Sequence, residues 1–244
     1  MPVKRKLTAK IEPFDTFWEA PEDIEKGYAS FYQFYRTNYL PHIPKYKNAS
    51  ILVVSCGPGY FVNLLKREGY DDVLGIDSDP EKVKYAKGRG LNCKKADAFA
   101  FLGKDQRSYD AIFAEQEINH LTKEEIEAFL TLCRNNLREG GTLIVHSLNG
   151  ANPITGSEAL AQNYNHYNTF TEYSLSQILK YANFEDVQVF PLKLYVFYRN
   201  PMNYVAILID KVFTLFFRFS FKLYGKSNRI FTKKIGAVCR KPFV

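Results

Sequence analysis

Strand-like segments recur at Ile51 to Ser55, Asp72 to Asp77, Asn92 to Ala96, Tyr109 to Ala114 and Thr142 to Ser147, and most have an apolar centre. An unbroken apolar run suits a strand buried on both faces, the situation of a parallel strand sandwiched between helices. Between these segments apolar positions return every third or fourth residue, the spacing of a helix with one buried face. Thr122-Lys123-Glu124-Glu125 predicts the capped start of a helix running to Leu137, with Gly140-Gly141 as its stop. A further helix over Glu172 to Ala182 leads to a sixth strand at Asp186 to Phe190. Upstream, Tyr28, Phe31, Tyr32 and Tyr35 fall at helical separations within Phe17 to Tyr39, so a helix or helix pair ends before Pro41 and Pro44. Alternating strand and helix predicts an α/β fold with a doubly wound, mostly parallel sheet.

Ile235-Gly236-Ala237-Val238-Cys239 is apolar and precedes Lys-Pro, which reads as a last short strand over Lys234 to Arg240. Pro191 to Phe231 is then an excursion between the sixth strand and the last. Within it Lys211, Arg218, Lys222, Lys226 and Arg229 recur at intervals of three, four or seven, while Leu208, Val212, Leu215, Phe216 and Phe219 occupy a broad apolar face. Such a helix either packs on its own domain or a second copy, or lies in an anionic membrane interface. Residues 1–47 read as a helical cap, and 48–244 as the main domain with this basic insertion at about 191–231.

With 244 residues, 46% of them hydrophobic, the chain can bury one sizeable core. Its net charge of +7 is unevenly spread. From Arg199 onward ten basic residues face the single acid Asp210, giving +9, so residues 1–198 carry 7 − 9 = −2. A nucleic-acid groove would spread positive charge around the catalytic loops, so no nucleic-acid partner is expected. Met1 to Phe14 is basic without an apolar core, and Tyr204 to Phe217 is too short and too charged to span a bilayer. The expected location is cytoplasmic, peripheral at the inner face of the membrane if the basic excursion binds lipid. Cys56, Cys93, Cys133 and Cys239 show no CxxC spacing, so neither a metal nor a disulfide is expected.

The chemistry is concentrated in Ile51-Leu52-Val53-Val54-Ser55-Cys56-Gly57-Pro58-Gly59, followed 18 positions after Gly59 by Asp77. A strand, a glycine turn, a helix and a second strand ending in an acid build a nucleoside pocket: glycine lets backbone approach the ligand, and the carboxylate accepts both ribose hydroxyls. The third glycine of a dinucleotide fingerprint is missing. Together with Ala96-Asp97-Ala98 and Leu137-Arg138-Glu139-Gly140-Gly141-Thr142-Leu143, these motifs resemble the class I methyltransferases that use S-adenosylmethionine and release S-adenosylhomocysteine. The resemblance covers roughly Asn48 to Val189. It implies a Rossmann-like seven-stranded sheet whose last strand runs antiparallel. It also implies that Ser55, Cys56, Gly57 and Gly59 pass under the methionine moiety, that Asp77 and Ser78 hold the ribose, and that Asp97 and Ala98 meet the adenine. The family usually carries an acid at the position of Val53 and a glycine at that of Ser55; Glu115 is the candidate for supporting the cofactor's amine instead.

The segments Ile118-Asn119-His120-Leu121 and Tyr164-Asn165-His166-Tyr167-Asn168-Thr169-Phe170-Thr171 further resemble a bacterial branch that includes methyltransferases of cell-surface polysaccharide biosynthesis. Both segments follow strands and fall on the carboxyl edge of the sheet, where ligands of open α/β sheets bind. His120 and His166 are therefore the candidate catalytic residues, as substrate contacts or general base. His42, between prolines, and His146, within a strand, read as structural. Asn149, Tyr164 and Asn168 are candidate substrate residues, since amides and phenols suit sugar hydroxyls. Tyr28 and Tyr32 can cover a sulfonium face, although core packing is their commoner use. The expected activity is O-methylation of a sugar or glycan, lipid-linked polysaccharide included, by a monomer or homodimer. A small metabolite, amine or lipid head group as acceptor, or an inactive binding subunit on the same fold, are the alternatives.

Overall fold

A computed structural model describes residues 24–114, 118–161, 164, 166–193 and 201–243. After α1 (Ile24–Asn38), the chain alternates β1 (Ser50–Val54), α2 (Tyr60–Arg67), β2 (Asp72–Asp77), α3 (Pro80–Gly88), β3 (Cys93–Lys95), α4 (Ala98–Leu102) and β4 (Tyr109–Ala114). It continues with α5 (Lys123–Asn136), β5 (Leu137–Leu148), α6 (Gly156–Ala161), α7 (Glu172–Tyr181), β6 (Glu185–Pro191), α8 (Met202–Leu223) and β7 (Lys234–Arg240). The strands form one seven-stranded sheet in the order β3-β2-β1-β4-β5-β7-β6, and β7 runs antiparallel to both of its neighbours. This is the Rossmann-like methyltransferase sheet that the sequence predicts.

Each central strand divides its side chains between two cores, because successive residues point to opposite faces. Leu52 and Val54 of β1 join Leu74, Ile76, Ile112 and Ala114 against Phe129, Leu130 and Cys133 of α5 and Leu175 and Leu179 of α7. Ile51 and Val53 face the other way, into Tyr35 and Tyr39, Phe61 and Leu65, and Val83 and Ala86. Tyr28 and Tyr35 of α1 and Tyr39 just after it thus lie in the second core, where the Tyr39 and Phe113 ring centroids are 4.7 Å apart and those of Phe61 and Phe113 4.5 Å.

Two boundaries differ from the sequence reading. The capping box of α5 is present, with the Thr122 N–H donating to Glu125 and the Glu125 N–H to the Thr122 hydroxyl. Its end is not the glycine pair: α5 stops at Asn136 and β5 begins at once. Opposite β4 the register jumps from Leu137 to Thr142, so Gly140-Gly141 sits in a bulge inside the strand. Gly140 has a φ of 69°, and a Cβ there would strike the Phe243 ring at 2.4 Å, which explains glycine at that position. Residues 1–23, most of the expected N-terminal cap's first half, lie outside the described residues.

Candidate cofactor and acceptor site

The parallel strands β1, β2 and β4 end on one edge, and the loop after β1 is shaped by three residues with left-handed backbone: Ser55 at φ 56°, Gly57 at 53° and Gly59 at 85°. Gly59 is confined as well as twisted, since a Cβ would lie 2.8 Å from Leu91 Cδ1, whereas a Cβ on Gly57 would meet nothing within 4 Å. The loop therefore packs tightly at its base and faces open space at Gly57, as a backbone that lies under a ligand must. Ser55 occupies by side-chain tolerance a conformation that glycine adopts without strain.

Asp77 ends β2 and is 9% exposed. Its Oδ2 accepts the Gly57 N–H at 2.8 Å and its Oδ1 the Asp79 N–H at 2.8 Å. Each oxygen retains a second acceptor position, which is what a cis-diol requires. Ser78 is exposed on the turn beyond it. Asp97 caps α4 by accepting the Ala100 N–H at 2.8 Å, while Ala98 is that helix's first residue. These groups fit an adenosine moiety, with the diol at Asp77.

Cys56 plays a different part from the one expected. Its thiol is fully buried and donates to Cys93 Sγ at 3.8 Å, so only its backbone can line the loop. That hydrogen bond, ahead of any other influence, holds the Cys93 thiol below its ordinary pKa. Gly75 makes the space, because a Cβ there would fall 2.7 Å from Cys56 Sγ and 2.8 Å from Cys93 Sγ. A glycine in the middle of an otherwise apolar strand was the readable sign of this close approach.

Helix α1 closes over the loop. The Tyr28 hydroxyl donates to the Pro58 carbonyl, its ring meets Tyr60 edge-on at 4.8 Å, and the Arg89 guanidinium lies 4.0 Å from its centroid. Burial is the main influence raising the Tyr28 pKa, so the phenol stays a donor. Tyr32 instead donates to Glu68 at 2.8 Å beneath Arg67, on the outer side of the helix, and does not share this position.

The acceptor edge is built by two loops. Ile118–His120 forms a single 3-10 turn after β4, and its Asn119 carbonyl accepts the N–H groups of Tyr167 and Asn168 at 2.8 and 3.3 Å. Asn168 Nδ2 donates to the Leu121 carbonyl at 2.6 Å. These bonds bring the half-buried His120 and His166 rings together, with centroids 4.5 Å apart at 69°. Asn168 is thus partly spent on holding the loops. Asn149 is wholly so: it is fully buried, its Nδ2 donates to the Ile230 and Thr232 carbonyls and its Oδ1 accepts the Ala151 N–H. The expectation that Asn149 meets substrate is corrected on that ground, and nothing in the sequence marked its partners 81 and 83 residues away. Tyr164 is fully outside the core, 89% exposed, and Glu115 lies outside the described residues. His42 stacks on Phe190 at 4.2 Å and His146 is buried beside Tyr39 and Phe113, both as structural residues.

Residues 51–141 match a family model described as a methyltransferase domain. The chain is 27% identical over 131 residues to the human mitochondrial ubiquinone biosynthesis O-methyltransferase, 48% of this chain and 35% of that protein. It is 28% identical over 166 residues to a tRNA U34 carboxymethyltransferase of Vibrio cholerae, 59% of this chain and 47% of that one. It therefore spans about a third to a half of the length of these curated relatives. Among solved structures, a SAM-dependent methyltransferase from Archaeoglobus fulgidus superposes with a TM-score of 0.63 at 21% identity, covering 86% of this chain and 92% of that one. Residues 51–141 thus match a methyltransferase domain, and the chain around them has the fold of solved S-adenosylmethionine-dependent methyltransferases.

Proposed function

We propose that the protein transfers a methyl group from S-adenosylmethionine to a hydroxyl, and that the hydroxyl belongs to a sugar or glycan. The observation that carries an oxygen acceptor is the meeting of His120 and His166 on the edge beside the Asp77 loop. Bound S-adenosylmethionine supplies a sulfonium-activated methyl group. Asp77 and the Ser55–Gly59 loop hold it in place, and α1, tied down by Tyr28 at Pro58, excludes water. An amine acceptor that arrives neutral needs no base, whereas a hydroxyl loses its proton as the new bond forms, and one imidazole takes it at Nδ1 or Nε2. The exposed Tyr164 phenol and the Asn168 amide oxygen supply hydrogen-bonding groups of the kind that sugar hydroxyls use.

A second reading keeps the oxygen and changes its carrier. The human relative is named an O-methyltransferase of ubiquinone biosynthesis, which favours a hydroxyl on a small metabolite. The Vibrio relative is named for tRNA, but a domain carrying −2 before its basic tail lacks the charge that phosphate binding draws on. Incubation with labelled S-adenosylmethionine and sugar nucleotides, lipid-linked oligosaccharides or phenolic acceptors separates the readings. With the accepted substrate, wild-type turnover falls on the acid side as the base protonates. Replacing the base among His120→Ala and His166→Ala removes that limb and lowers turnover by about 100-fold or more, while the contact residue costs less and leaves the profile intact. Full rate in both variants refutes the assignment.

A further inference from the structure

Among the described residues, none packs on the outer side of helix α8. Its inner side, with Ala206, Asp210, Thr214, Phe217 and Phe221, is half-buried, and the Phe217 and Phe221 rings meet Phe231 at 5.8 and 4.7 Å. On the outer side Leu208, Val212, Leu215, Phe216, Phe219 and Leu223 each expose between 56% and 71% of their surface. A monomer rarely leaves an apolar band of this extent, about 28 Å from Tyr204 to Leu223, in water. The half-buried class thus goes to the residues that a helix packed on its own domain would bury, and most of the apolar surface points away.

We propose that this face docks on an anionic lipid surface. Three observations select lipid. Lys211 and Lys222 fall on one flank of the apolar band at helical spacing, both exposed, where long side chains reach headgroups while their stems stay with the apolar residues; Arg218 lies on the same flank with its Nε donating to the Arg229 carbonyl at 2.8 Å. Asp210, the single acid from residue 199 onward, sits on the inner, half-buried side, so the outer face of α8 itself carries no acid. Tyr204 and Tyr224, at 77% and 85% exposure, bracket the band with the amphipathic side chain favoured at a membrane boundary. The same face of a second copy would bring the same cations and no acid to meet them. No described helix is long and apolar enough to cross a membrane, so the helix lies along the surface.

The docking face is fixed to the acceptor edge. Glu172 accepts the Arg229 and Ile230 N–H groups at 3.0 Å, Tyr173 donates to the Ser227 carbonyl at 2.9 Å, and Asn149 grips the Ile230 and Thr232 carbonyls. Glu172 begins the helix six residues after His166. The segment that follows α8 is thus tied to the helix that begins beside the His166 loop, which suits an acceptor presented from a membrane.

Co-sedimentation of the full chain with phosphatidylglycerol-containing vesicles and with pure phosphatidylcholine vesicles tests this without any turnover. The wild type is expected to bind the anionic vesicles, less so as salt rises. Leu215→Glu with Phe219→Glu lowers the partition coefficient at least ~100-fold, from the burial of two large side chains. Lys211→Gln with Lys222→Gln lowers it roughly 30-fold on anionic vesicles and little on neutral ones. S-adenosylhomocysteine affinity, unchanged in both variants, certifies the fold. Equal sedimentation of wild type and the apolar variant overturns the proposal, as does no binding to anionic vesicles. A dimer in light scattering that dissociates in Leu215→Glu/Phe219→Glu, with no vesicle binding, would assign the face to a second copy instead.

Discussion

Asp77→Asn isolates the carboxylate on which the cofactor site rests. The substitution keeps shape and removes charge, so its two effects can be worked separately. In the protein, Oδ2 accepts from Gly57 and Oδ1 from Asp79, both at 2.8 Å, in a side chain 9% exposed. An amide can serve one of these donors, and its NH2 group then confronts the other, so one charge-assisted bond is lost and the rest weakened. At about 1.5–3 kcal/mol for a hydrogen bond to a charged group, the fold loses about 2 kcal/mol. For a chain of this size that is a fall in Tm of roughly 4–8 °C by circular dichroism. The ribose diol loses its charged acceptor in the same step, which weakens S-adenosylhomocysteine by about 10- to 100-fold in isothermal titration below both melting temperatures. A lowered Tm with affinity within about twofold of wild type would show that Asp77 only braces the loop, and would refute its role in holding the nucleoside.

Two further perturbations test the architecture around the site. Gly75→Ala drives a methyl to within 2.7–2.9 Å of Cys56 Sγ, Cys93 Sγ and Val62 Cγ2, so it should cost about 1–3 kcal/mol by overpacking; an unchanged Tm would mean that the thiol pair yields without cost. Asp110 accepts the Ser50 N–H at 2.7 Å and pairs with Arg138 at 2.7 Å. Burial alone would raise its pKa, but the Ser50 N–H and Arg138 outweigh that and hold it below the ordinary carboxylate value. A group with a depressed folded pKa stabilises the protein above its unfolded pKa, about 3.9, and that contribution disappears as pH falls through the folded value. Asp110→Asn should therefore lower stability by about 1–3 kcal/mol at pH 7, with the difference from wild type shrinking below about pH 4 in urea titrations, and a pH-independent difference would contradict the assignment.

What the chain's own order determined is local. Apolar runs, the Thr122 capping box, Ser55-Cys56-Gly57-Pro58-Gly59 and Asp77 at the end of β2 depend on neighbours a few residues away, so the succession of elements along the chain, the glycine turn and the acid's position were readable before any fold was known. Periodicity alone could not say which face of α8 would be covered, since its wheel fits a packed helix and a surface helix equally. Tertiary packing decided that by turning Phe217 and Phe221 onto Phe231 and leaving Leu208 to Leu223 outward. The same holds for Asn149, whose amide is taken by carbonyls about eighty residues on, and for Cys56, whose thiol is claimed by Cys93 across Gly75. A side chain's partner at long range is chosen by the closed sheet and not by its neighbours along the chain, so His120 and His166 could be placed on one edge by sequence but brought into contact only by the fold.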